Sequence, residues 1–142
     1  MSAFLNPLLL RALSPDVLKA SRLESQNYLL TGPFSYQSDL LGITITAPVG
    51  LLTDFASIPR IAWSILDPED PMILYPSVIH DYLYKAGGVI PNLPPVTRQQ
   101  ADKVLREAME HCGAGNWKRT IVYQSVERFG ASNWGKPPAT TS

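Results

Sequence analysis

Over residues 74–86 the apolar side chains Leu74, Tyr75, Val78, Ile79, Tyr82, Leu83 and Ala86 recur at spacings of three and four. At about 100° per residue they fall on one broad helical stripe, the face that seeks a core. Ser77, His80, Asp81 and Tyr84 remain together on the other side. Ser77 stands three and four positions before His80 and Asp81, and His80 four before Tyr84, the spacings at which helical side chains meet. A polar face of that composition is either wet or lines a cleft. Thr97 opens a second helix, with Gln100 completing a capping box, that should run to Cys112 and stop at Gly113. Its buried stripe is Ala101, Val104, Leu105, Ala108, Met109 and Cys112, with Arg98 and Asp102 one turn apart on the border. A third helix is predicted over 116–129, burying Trp117, Ile121, Val122, Val126 and Phe129 and ending at Gly130, with Trp134 folding back on it.

The first half of the chain carries the other period. Ile and Thr alternate over 43–47, a half-buried strand signal, and short runs at 27–30 and 34–37 flank turn residues at 31–33 and 39–42. The strand pattern breaks at Pro48, Val49 and Gly50 and resumes at 51–53, giving a small antiparallel meander. Ser57 caps a predicted helix to Leu66, with Ile58 and Pro59 in its first turn, which leaves Asp54 in the loop between strand and helix. Residues 4–13 read as a short strand or as an irregular arm over the core, and Ser14 with Pro15 starts a short helix through Ala20. Strands followed by helices define an α+β domain: a small antiparallel sheet from the N-terminal half packed by about three helices from the C-terminal half. The expected domain is 1–135, and the tail 136–142 should fray.

Composition narrows the function classes. In 142 residues, 12 basic and 12 acidic side chains cancel, so no global field draws the chain to nucleic acid or an anionic membrane. The single cysteine, Cys112, excludes an intramolecular disulfide and zinc sites built from several thiolates. The apolar start contains Asn6 and Pro7 and no basic residue before Arg11. It is a poor signal peptide and too short to span a bilayer, so the expected location is a reducing cytoplasm.

Candidate chemistry centres on the adjacent His80 and Asp81. A histidine serves as general base or metal ligand near neutral pH, and a carboxylate beside it ligates a cation or raises its basicity. The doublet resembles the ligand pair of metal phosphohydrolases, but those need further histidines, and this chain has only His80 and His111. No binuclear site is expected. Arg98, in a first helical turn, opposes the macrodipole and so should answer to a carboxylate elsewhere, Asp102 or Asp81.

Four motifs then fall in register. Residues 53–60 (TDFASIPR), 78–84 (VIHDYLY), 98–102 (RQQAD) with Ala108 and Met109, and the pattern Tyr123, Val126, Arg128, Phe129, Gly130 resemble the phage and prophage proteins grouped as domain of unknown function 1353. The resemblance covers about residues 27–130. It implies a tailed bacteriophage or prophage source, with the protein in the host cytoplasm or the virion, and it brings Asp54, Ser57, Arg60, His80, Asp81, Arg98 and Asp102 into one recurring set. It implies no mechanism.

Two readings follow. In one, a small hydrolase of cell wall or phosphoester gathers Asp54, His80 and Asp81 as catalytic groups around one water or one divalent cation, Asp102 joining them and Arg60 or Arg98 steadying a developing anion. No cofactor beyond that cation is implied. In the other, the same residues with Ser57 form a buried polar network that fixes the 53–60 loop onto two helices, Arg98 bridging Asp81 and Asp102. The protein is then a virion or tail-assembly component whose apolar arm (Phe4, Leu5, Leu8, Leu9, Leu10) contacts other phage proteins or a second copy of itself.

Overall fold

The computed structural model describes residues 3–13, 28–53, 62 and 71–135. The elements with defined bounds among the described residues are six strands, β1 (Ala3–Phe4), β2 (Leu10–Ala12), β3 (Tyr28–Leu30), β4 (Phe34–Ser38), β5 (Ile43–Ala47) and β6 (Leu52–Thr53), and three helices, α1 (Pro71–Lys85), α2 (Arg98–His111) and α3 (Asn116–Phe129), closed by a 3-10 turn at Ala131–Asn133. The class is α+β as expected. The strands form two antiparallel sheets of three, ordered β1-β4-β5 and β2-β3-β6. The apolar arm is strand at its two ends and irregular over residues 5–9, and it serves both sheets: Phe4 pairs with Tyr36 in one, and Leu10 with Leu30 in the other.

The β4–β5 hairpin follows the Ile/Thr alternation. Ile45 and Ala47 face inward with Phe34 and Tyr36, whereas Thr44 and Thr46 face out. The turn closes at Gly42, whose φ of 65° is the left-handed conformation that glycine adopts without penalty. Phe4 seats itself on this sheet, its ring 5.2 Å from Phe34, 4.7 Å from Tyr36 and 5.6 Å from Tyr75 of α1. Leu8 and Leu10 also pack against the core, and Leu5 and Leu9 are about half exposed.

Strand residues Leu30, Phe34, Tyr36 and Ile45 share one buried cluster with Val78, Ile79 and Leu83 of α1 and Ala101, Val104 and Ala108 of α2. A second cluster joins Ala62 and Ile73 to Leu105, Met109, Val122 and Val126. Of the helix expected from Ser57 to Leu66, only Ala62 is among the described residues, and it is helical and buried. The short helix from Ser14 and the tail from residue 136 lie outside them. α2 begins with the predicted capping box, Thr97 accepting from the Gln100 backbone N–H at 3.1 Å and the Gln100 side chain accepting from the Thr97 N–H at 2.9 Å.

Two helical expectations change. α1 starts three residues before Leu74 and ends at Lys85, one residue before Ala86. On α3, Trp117 and Phe129 stand exposed, and the buried positions are Val122, Ser125 and Val126. That face is narrower because α2 is its principal cover: Arg98 meets Val126 and Glu127, Arg106 lies over the Tyr123 ring at 4.4 Å, and Arg119 reaches Glu110 at 3.0 Å. Those pairings run in opposite directions, so α2 and α3 form an antiparallel hairpin.

Candidate functional site

The polar side of α1 is neither wet nor cleft-lining. Ser77, His80, Asp81 and Tyr84 are all buried, at no more than 2% exposure, and so is Asp102 of α2. Burying five polar side chains is costly unless they are hydrogen-bonded, and for Ser77, His80, Tyr84 and Asp102 the geometry supplies the bonds. Ser77 Oγ donates to the Ile73 carbonyl, one turn back on its own helix. His80 Nε2 lies 2.9 Å from Asp102 Oδ1, and the Tyr84 hydroxyl donates to the same oxygen at 2.6 Å. An ionised carboxylate oxygen only accepts, so His80 is the donor and carries its proton on Nε2. The His80 and Tyr84 rings pack at 4.3 Å. The i,i+4 spacing read in the sequence thus gives two donors from successive turns of α1 that converge on one carboxylate of α2.

Tyr84 is the most constrained member. Trp134 meets its ring edge-on at 5.1 Å. At Gly130 a Cβ would lie 2.8 Å from the Tyr84 hydroxyl and 2.5 Å from the Val126 carbonyl oxygen. The Gly130 of the Arg128-Phe129-Gly130 motif is therefore the space into which Tyr84 fits. Burial drives the Tyr84 pKa strongly upward, the Asp102 hydrogen bond and charge add to the rise, and Arg98 opposes it. The phenol stays a neutral donor over the ordinary pH range.

Asp81 turns elsewhere, its Oδ2 3.7 Å from Lys85 Nζ one turn along α1. Arg98 does not bridge Asp81 and Asp102. Its guanidinium donates to the carbonyls of Val126 and Glu127, each at 3.2 Å. Those carbonyls belong to the last turn of α3, where a cation is favoured by the negative end of the dipole. An arginine misplaced for its own helix is correctly placed for the antiparallel neighbour.

Asp54, Ser57 and Arg60 lie outside the described residues. Among the described residues no group of three or more His, Cys, Asp and Glu side chains is placed to hold a metal ion. Of the hypothetical ligand set, His80 directs Nε2 to Asp102 and Asp81 directs Oδ2 to Lys85.

A further carboxylate had no signal in the sequence reading. Glu107 of α2 accepts from Tyr36 Oη at 2.7 Å and Ser38 Oγ at 2.8 Å through Oε1, and from the Leu40 backbone N–H at 2.8 Å through Oε2. It pins the β4–β5 hairpin to the helix. All three donors lie about seventy residues away along the chain, and no local pattern announces them.

The family model described as protein of unknown function (DUF1353) matches residues 28–126. A relative in Sinorhizobium fredii, the uncharacterized protein y4jT, is 30% identical over 102 residues, which are 71% of this chain and 28% of the relative. The match thus spans less than a third of that relative's length. No solved structure matches the chain.

Proposed function

The chain belongs to the family of proteins of unknown function (DUF1353), and from that premise we propose that it is a non-catalytic component of a tailed phage or prophage, acting in the virion or its assembly. One observation carries the reading: the His80, Asp102 and Tyr84 cluster is sealed inside the α1–α2 interface, with His80 at 0% exposure and its Nε2 on Asp102. A general base must come within hydrogen-bond reach of the proton it removes. A histidine turned inward to a carboxylate that also takes a tyrosine hydroxyl fits a lock between helices. Partner contact then falls to exposed apolar side chains at the sheet end, such as Leu5 and Leu9 of the arm and Val49 after β5.

The hydrolase reading retains one supporting feature, since His80 and Asp102 at 2.9 Å also have the spacing of a base and its orienting carboxylate. Thermal unfolding of wild type, His80→Ala and Asp102→Asn, beside metal content and hydrolysis of peptidoglycan and a phosphoester, separates the two. The lock predicts that His80→Ala loses roughly 2–4 kcal/mol, because Asp102 loses a buried partner, that Asp102→Asn, whose amide oxygen still accepts both hydrogen bonds, loses less, and that wild type and variants hydrolyse nothing. Turnover by wild type, abolished in His80→Ala with its midpoint unchanged, sinks the proposal.

A further inference from the structure

On the side of α1 away from Asp102, a cleft of about 420 Å³ opens between β5 and the α1–α2 connector, lined among others by Thr44, Thr46, Tyr82, Pro91, Asn92 and Leu93. That volume lies within the ~300–1,000 Å³ of small-molecule sites. We propose that this cleft binds a neutral sugar residue of a glycan.

The chemistry of the walls selects the ligand class. Among the described residues none that lines the cleft is charged, so none of them would offset the desolvation of an ionic ligand. The polar groups are three hydroxyls and one carboxamide, groups that both donate and accept. They match a ligand whose own groups do the same at several adjacent positions, as sugar hydroxyls do. Thr44 and Thr46 both point out from the exposed face of β5, two residues apart and therefore side by side. Thr46 already shares one hydrogen bond with Ser35 Oγ at 2.8 Å, which orients its hydroxyl and leaves it further bonding capacity. Tyr82, partly buried against the core, brings an aromatic ring to the cleft wall beside its hydroxyl. Burial holds its phenol pKa above the usual value, so it remains a neutral donor.

The backbone presents the carboxamide by construction. Leu93 N–H donates to the Ile90 carbonyl at 3.2 Å, closing a four-residue turn with Pro91 second and Asn92 third. Asn92 has a φ of 66°, and among the described residues no other non-glycine has a positive φ. Proline in the second place and a positive φ in the third mark a type II turn, whose third position favours glycine. Asparagine keeps that conformation while adding an amide side chain at the cleft.

The test is a titration of the full chain, followed by amide NMR shifts, with methyl glycosides of glucose, galactose and N-acetylglucosamine and their β-1,4-linked disaccharides. Asn92→Gly keeps the left-handed backbone and removes only the carboxamide, and Tyr82→Phe removes only the hydroxyl. At least one sugar should give saturable shifts confined to residues 44–48, 82 and 90–93, with binding about tenfold weaker in either variant as one hydrogen bond is lost. Thermal midpoints close to wild type will show that both variants fold. Absence of saturable shifts at tens-of-millimolar sugar overturns the proposal, as does binding that both variants leave unchanged. Capture of a proline-rich peptide at these residues with no response to sugar overturns it too, and marks the cleft as a peptide groove.

Discussion

At the scale of single residues, Tyr84 organises the buried cluster. Its hydroxyl is held by Asp102, its ring by His80 and Trp134, and its room is made by Gly130. Tyr84→Phe removes one donor from Asp102 and should cost about 2 kcal/mol, the worth of a hydrogen bond to a buried charge, read as a lower urea midpoint at neutral pH. The pH dependence has a definite sign. Burial and Asp102 hold the folded phenol's pKa well above its ordinary value, so the stability it contributes is complete below that ordinary value and is lost as pH rises towards the folded pKa. Wild type should therefore lose stability steeply above about pH 10, and Tyr84→Phe should flatten that limb; an unchanged alkaline limb would remove Tyr84 as its cause. Gly130→Ala should cost about 1–3 kcal/mol by overpacking. Its φ of −81° suits any residue, so the penalty is steric alone, and the double variant Gly130→Ala, Tyr84→Phe should recover part of it by removing the hydroxyl that the new methyl meets.

Among the elements, the arginine in the first turn of α2 explains how helices of unfavourable local charge are stable together. Arg98 sits where α2 has its positive end, and its hydrogen bonds go to the last carbonyls of α3. Arg98→Ala should raise amide hydrogen exchange in the last turn of α3 while leaving the capped start of α2 nearly unchanged, at a cost of about 1 kcal/mol. Faster exchange at the start of α2 alone would contradict this placement. The sequence exposed the anomaly through position and charge, but not the partner, because an i,i+4 carboxylate is visible in one dimension and an antiparallel neighbour is not. The capping box, the α2 stripe apart from Cys112, which caps the helix half-buried, and the Ile/Thr strand were legible for the same reason, since each depends on spacings within one element. The fully buried polar face of α1 was not. Periodicity separates Ser77, His80, Asp81 and Tyr84 from the apolar stripe, but only the packing of α2 decides whether such a face meets water or Asp102.

Across the whole molecule, the open question is whether sheets and helices unfold together. The strands and helices share one buried cluster, and two long-range devices fasten the sheet end to the helices: Phe4 on Phe34, Tyr36 and Tyr75, and Glu107 on Tyr36, Ser38 and Leu40. Glu107→Gln replaces one acceptor oxygen with an amide nitrogen that faces a donor, so about 2 kcal/mol should be lost although size is conserved. Phe4→Ala should cost about 2–3 kcal/mol, somewhat below the range for fully buried aromatics because Phe4 is only partly buried. Both act on strands, yet a shared core requires that far-UV circular dichroism, dominated by the helices, and the amide NMR signals of β4 and β5 report the same lowered midpoint. Their effects should be less than additive, since both side chains meet at Tyr36 and the loss of one loosens the surface that the other grips. Helical signal persisting after the β4 and β5 signals are lost in Phe4→Ala would mean instead that the helices hold without the strand half, kept together by the buried lock of His80, Tyr84 and Asp102 and by the apolar contacts between α1 and α2.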